Sequence, residues 1–94
     1  MTLIVSYKTL IMSIITSDQV RAAKAFLRWS GEELAQKSGV SLSSIRRVES
    51  AEGIPEGQNL KTLLSIKGAL EKGGIEFIGS PEDRPGVRLS SPRK

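Results

Sequence analysis

The stretch Trp29–Ser50, W-S-G-E-E-L-A-Q-K-S-G-V-S-L-S-S-I-R-R-V-E-S, predicts two short helices joined by a tight turn. Ser30 stands three residues before Glu33, which is the spacing of a capping box that opens a helix. Gly39 can adopt the left-handed backbone conformation that ends this helix. Ser41 then offers a cap for the second helix.

The second of these helices has an apolar face and a basic face. Ile45 and Val48 lie three residues apart and share one side, whereas Ser43, Arg46 and Arg47 point elsewhere. Two apolar faces joined by so short a turn pack the helices steeply against each other, which leaves the outer face of the second helix free. This is the helix-turn-helix geometry that enters a DNA major groove.

Residues 19–72 carry a family resemblance in four successive segments, Q-V-R-A-A-K-A-F-L-R-W, S-G-E-E-L-A-Q-K-S-G-V-S, S-S-I-R-R-V-E and N-L-K-T-L-L-S-I-K-G-A-L-E-K. They resemble the helix-turn-helix domain of phage lambda-repressor-like and Cro-like regulators, often called the XRE family. The tail G-I-E-F-I followed by P-G-V-R-L is similar to that of a bacterial subgroup of small regulators. The resemblance implies a transcriptional regulator that binds double-stranded DNA, often as a dimer on a near-palindromic site.

The expected fold is mainly α, a four-helix lambda-repressor-like helix-turn-helix bundle followed by a short C-terminal β-hairpin. The first helix should begin near Thr16 or Ser17. The apolar leader is too short to cross a membrane, and it is interpreted as a strand, a disordered segment or an upstream extension. The predicted divisions are the leader (1–15), the helix-turn-helix domain (16–73), the hairpin (74–90) and a frayed tail (91–94).

The predicted hairpin pairs Ile75–Ile78 with Val87–Leu89 across the turn S-P-E-D-R-P-G. A hairpin alone is marginal, so it must pack on the helices, on residues 3–5 or on a second subunit. Its open edges favour pairing with another strand. We therefore expect a homodimer built through the hairpin, and we expect the helices to stay folded after truncation at Lys72.

The composition of the chain excludes several classes of functional site. The 94 residues allow one domain, and the net charge of +4 favours a polyanionic partner only mildly. The chain has no cysteine and no histidine, which excludes disulfides, thiolate nucleophiles and imidazole chemistry and leaves no usual zinc site. Glu32 and Glu33 fit a helix first turn rather than catalysis. We expect no enzyme, no cofactor, no metal and a cytoplasmic, nucleoid-associated location.

The resemblance places the DNA contacts mainly on the third helix. Arg47 is expected to pair with guanine and Arg46 to meet a phosphate, while Leu42 would contact a thymine methyl or simply be exposed. Gly31 stands where the family often has a phosphate-binding glutamine, so that only its backbone N–H could serve. Lys24 and Glu49 occupy the places of a structural ion pair. The expected DNA-binding residues are Ser41, Leu42, Ser43, Ser44, Arg46, Arg47, Arg28, Lys37, Gly31 and Lys61.

A second function remains open at this point: an antitoxin-like or adaptor module that retains the helix-turn-helix fold but binds mainly protein. The acidic loop with Glu52 and Glu56, together with Gly31, favours this alternative. Arg46 and Arg47 favour DNA.

Overall fold

The computed structural model describes residues 14–53 and 60–91. These residues form four α-helices followed by a two-stranded antiparallel hairpin, which confirms the predicted fold class. The predicted leader up to residue 13 and the predicted tail from residue 92 lie outside the described residues. The elements are α1 (Ser17–Leu27), α2 (Gly31–Ser38), α3 (Leu42–Ser50), α4 (Leu60–Lys72), β1 (Ile75–Ser80) and β2 (Asp83–Leu89).

Side-chain caps set where the first helices begin. Thr16 and Gln19 form a reciprocal capping box at the start of α1, and Ser30 and Glu33 form the predicted one at the start of α2. In each box a hydroxyl and a longer side chain satisfy amide groups that have no partner within the helix. Gly39 ends α2 at φ 74°, in the left-handed conformation that glycine adopts without a steric cost.

One aliphatic core lies where the helices and the hairpin meet. Helix α3 packs on both α1 and α2, and α4 packs beneath α2. The side chains of Leu34, Ile45 and Ile66 are fully buried, and Ile15 is 1% exposed, so the core begins before the predicted domain boundary. The buried apolar residues are Ile15, Val20, Ala23, Leu34, Ile45, Val48, Leu63, Ile66, Ala69, Leu70 and Ile75.

The hairpin differs from the prediction at its tip. The sequence predicted a seven-residue turn, but the strands extend to pair Ser80 with Asp83, which leaves two residues in the turn. Gly79 interrupts the register, and at φ 75° a Cβ there would lie 2.2 Å from the Arg84 carbonyl oxygen. The extra residue lies in β2, where Arg84 and Pro85 stand opposite Gly79. Such a bulge accommodates Pro85, because a proline has no N–H for a regular ladder.

The hairpin packs against its own helices. Ile75 is 2% exposed, and Phe77, Val87 and Leu89 pack against the same core. Gln19 of α1 donates from Nε2 to the Gly86 carbonyl oxygen at 2.9 Å and to the Ile78 carbonyl oxygen at 3.3 Å. The strands thus contribute to the same core as the helices. That the helices stay folded after truncation at Lys72 stays a prediction.

Candidate nucleic-acid interface

The outer face of α3 carries two arginines. Ile45 and Val48 are fully buried on the inner face, while Arg46 and Arg47 are exposed. At about 100° per residue, each arginine stands about 100° around the helix from one of these two buried residues and about 160° from the other. Both arginines therefore point away from the core, on either side of the middle of the outer face.

Neither arginine is neutralised within the described part of the chain. The ion pairs found there join other residues, and Arg46 and Arg47 take part in none of them. Two guanidinium groups on one exposed helix face can donate to a base edge and to a phosphate. The exposed face of α3 thus has the chemistry that a DNA groove requires.

Three serine hydroxyls lie at the N-terminal end of α3. Ser41 caps the helix by accepting from the Ser44 amide at 3.3 Å. Its hydroxyl also lies 3.0 Å from that of Ser44 and 3.3 Å from that of Ser43. Because these hydroxyls form hydrogen bonds with one another, each could replace such a bond with one to a phosphate or a base at little cost in free energy.

Leu42 does not belong to this exposed group. It is half-buried, and its Cδ1 atom would lie 3.4 Å from a Cβ placed on Gly31. The side chain is therefore packed toward the start of α2. The expectation that Leu42 would simply be exposed is therefore wrong.

The start of α2 faces the inner side of α3. A Cβ on Gly31 would also lie 3.7 Å from Glu49 Oε2 and 3.9 Å from Ile45, all at ordinary contact distances. In the capping box, the Ser30 hydroxyl accepts from the Glu33 amide, and the Glu33 carboxylate accepts from the Ser30 amide. Together with exposed Glu32, this places negative charge beside Gly31, whose backbone N–H is expected to bind a phosphate.

Helix α1 anchors the C-terminal end of α3. Lys24 Nζ lies 2.5 Å from Glu49 Oε1, and these side chains are 20% and 17% exposed. Arg21 donates to the Glu49 carbonyl oxygen and, at 3.3 Å, to that of Ala51. Sequence reasoning missed Arg21, although it lies three residues before Lys24 and so on the same side of α1.

The other predicted contacts lie on separate surfaces. Arg28 caps α1 at φ 57° and lines a hollow of about 410 Å³ with Phe26 and Gly73. Lys37 stands 5.0 Å from the centre of the Trp29 ring. Lys61 is exposed in the first turn of α4. Within the described residues, none of these three cations forms an ion pair or hydrogen bond with α3.

Residues 27–66, which run from the end of α1 into α4, match the helix-turn-helix family model. This segment is a lambda-repressor-like helix-turn-helix domain. Helices α2 and α3 are its helix-turn-helix pair. No curated protein matches the chain significantly.

The helix-turn-helix domain belongs to a family of DNA-binding, generally non-enzymatic proteins. Among the described residues, no three metal-ligating side chains come together. No described helix is long and apolar enough to cross a membrane.

Proposed function

We propose that the protein is a sequence-specific transcriptional regulator that places α3 in the major groove of double-stranded DNA. Arg46 and Arg47 are exposed on the outer face of α3 and form no ion pair with any other described residue, and this observation supports the proposal most directly. Both arginines face outward. In the roles that the family resemblance implies, Arg47 would pair with guanine O6 and N7, while Arg46 would reach a phosphate. The serine hydroxyls at the start of α3 would add short contacts to the DNA backbone.

The test is a selection of binding sites from random duplex DNA at two salt concentrations. The wild-type protein should enrich one sequence, and its affinity should fall as salt rises, because phosphate contacts release counterions. The double variant Arg46→Ala/Arg47→Ala should enrich nothing. Lys67→Ala/Lys72→Ala is the control, because it removes the same charge from α4, outside α3 and the hairpin. Enrichment of no sequence by the wild-type protein would reject the proposal.

The proposal includes a homodimer built through the hairpin. Each of its strands pairs with one neighbour in the described structure, so each has an edge where another strand can add. Two domains on half-sites about 34 Å apart, or a multiple of this, would double the sequence that is read. Sedimentation at micromolar concentration should give a dimer, and a monomer there would contradict this part.

The second candidate function is a protein-binding adaptor or antitoxin-like module. The observation in its favour is the exposed Glu32 in the first turn of α2, beside Glu33 and next to the expected phosphate position. This candidate would be favoured if the protein bound no duplex DNA at either salt concentration while α3 stayed folded. A cytoplasmic location on the bacterial nucleoid is expected only if the DNA-binding proposal is correct.

A further inference from the structure

The chain leaves helix α3 along helix α1. The carbonyl oxygens of Glu49, Ala51 and Gly53 all accept hydrogen bonds from α1. Arg21 Nη1 donates to Glu49 and, at 3.3 Å, to Ala51, and the Ser17 amide donates to Gly53 at 2.9 Å. We call residues 49–53 the exit segment. Every second carbonyl group of this segment thus accepts a hydrogen bond from helix α1.

Helix α3 lacks the backbone cap that ends the two helices before it. Arg28 and Gly39 end α1 and α2 in the left-handed conformation, whereas Ala51 is extended at φ −75° and ψ 166°. An extended residue cannot return its amide to the last turn, so the final carbonyl groups need another donor. Arg21 supplies that donor, and its positive charge lies at the negative end of the helix dipole.

The guanidinium of Arg21 is itself held in place. Its second terminal nitrogen, Nη2, donates to the carboxylate of Asp18, one turn earlier on α1. The planar group therefore bridges a carboxylate and two carbonyl oxygens at once. A lysine ammonium has the same charge but lacks this rigid fork, so it cannot reproduce the arrangement.

The position of the exit segment controls the orientation of the two candidate DNA-reading arginines. Arg46 and Arg47 lie in the last part of α3, two to three residues before Glu49. Bidentate pairing with a base tolerates only small displacements, because the bonds involved span about 2.7–3.2 Å. If the end of α3 shifts by more than the spread of these bond lengths, about 0.5 Å, the arginine can no longer make both bonds to the base. Its positive charge nevertheless stays near the DNA.

The geometry points to Arg21 as a positioning residue that sets the sequence specificity of the interface without touching DNA. It fixes the C-terminal end of α3 through the Glu49 and Ala51 carbonyl groups, and thereby the direction of Arg47. This inference rests on the proposed function, since specificity has meaning only if α3 reads DNA.

Arg21→Met tests the inference, with Arg21→Lys as the milder variant and Lys72→Met as the control. Lys72 is exposed at the end of α4, outside α3 and the hairpin, and its loss removes the same charge. Dissociation constants are measured for the selected site and for random duplex at several salt concentrations. Arg21→Met should bind the selected site about tenfold more weakly than Lys72→Met does, with equal affinity for random duplex. Arg21→Lys should lose specificity in the same direction.

The salt dependence separates positioning from direct contact. A positioning residue leaves the slope of log K against log salt equal to that of Lys72→Met. A slope lower by about 0.9, with equal loss on both duplexes, would assign Arg21 to a phosphate and overturn the inference. Unchanged specificity in Arg21→Met would overturn it as well.

Amide hydrogen exchange on the free protein keeps the test independent of DNA. Arg21→Met should speed exchange at Ser50–Gly53 while α2 stays as protected as in the wild-type protein. If the wild-type protein selects no DNA site, the proposed function fails on its own. Unchanged exchange in the exit segment would then show that Arg21 does not hold it.

Discussion

Lys24 of helix α1 and Glu49 of helix α3 form an ion pair, with Nζ 2.5 Å from Oε1 and both side chains largely buried at 20% and 17% exposure. The pair joins residues that lie far apart in sequence, and it stands beside the hydrogen bonds of Arg21 to the same end of α3. Removing one partner of a largely buried pair leaves the other charge without compensation. The pair therefore bears on the stability of the fold as well as on the angle of α3.

Lys24→Ala should lower the free energy of unfolding by about 1–3 kcal/mol, because it leaves the Glu49 carboxylate partly buried without a cation. Lys61→Ala is the control, since Lys61 is exposed in the first turn of α4 and should cost at most about 0.5 kcal/mol. Urea unfolding at neutral pH measures both. Equal midpoints for the two variants would show that the pair is solvated.

Arg47→Ala should weaken binding to the selected site by about 1–3 kcal/mol and relax the preference at one base pair of each half-site. Arg46→Ala on the same helix should instead weaken binding to all duplexes and reduce the salt slope by about 0.9, because Arg46 is proposed to meet a phosphate. Competition binding against single-base variants of the site distinguishes the two. Equal losses of Arg47→Ala on selected and random DNA would assign Arg47 to a phosphate.

Gln19→Leu should destabilise the protein by about 2–3 kcal/mol, because it leaves the Thr16 amide and two hairpin carbonyl groups without their partner. Gln36→Leu is the control at an exposed position of α2. Thermal unfolding gives the stability, and amide exchange in β1 and β2 shows whether the hairpin loosens first. Equal stability of the two variants would mean that water replaces Gln19.

Gly68→Ala and Gly73→Ala should have opposite effects. A Cβ at Gly68 meets nothing within 4 Å in the middle of α4, so alanine should stabilise the helix by about 0.5–1 kcal/mol. A Cβ at Gly73 would lie 2.7 Å from the Trp29 ring and 2.9 Å from Leu27 Cδ1, so alanine there must displace core side chains and destabilise. Chemical unfolding of both variants is the measurement, and a stabilised Gly73→Ala would show that Trp29 moves freely.

The stability contributed by the hairpin should depend on pH through Glu76. Arg88 on the opposite strand donates to Glu76 Oε2 at 2.7 Å and lowers the pKa of that carboxyl below its ordinary value of 4.5. Because the folded pKa is the lower one, the pair stabilises the protein fully above about pH 4.5, and this contribution is lost as the pH falls through the folded pKa.

Carbon-detected NMR titration of Glu76 measures this shift. In Arg88→Leu the pKa of Glu76 should return toward 4.5, since the hydrogen bond to Arg88 is the largest cause of the shift. Arg84→Leu serves as the control, because Arg84 pairs with Asp83 instead. A Glu76 pKa that is the same in the wild-type protein and in Arg88→Leu would contradict the cross-strand pair.

The sequence by itself determined the features that depend on near neighbours. The Ser30–Glu33 capping box and the Gly39 helix end involve partners within a few residues, so spacing alone predicts them. The exposure of Arg46 and Arg47 follows in the same way, because helical periodicity places them away from the buried Ile45 and Val48. Their roles on DNA stay predictions.

The tertiary structure alone decided the contacts between distant segments. Gln19 bonds to carbonyl groups 59 and 67 residues away, and Arg21 to carbonyl groups 28 and 30 residues away. A long polar side chain has many possible backbone partners, and nothing in its own neighbourhood selects among them. The choice is made when the aliphatic core brings α1, the end of α3 and the hairpin together, because buried carbonyl groups must then find donors.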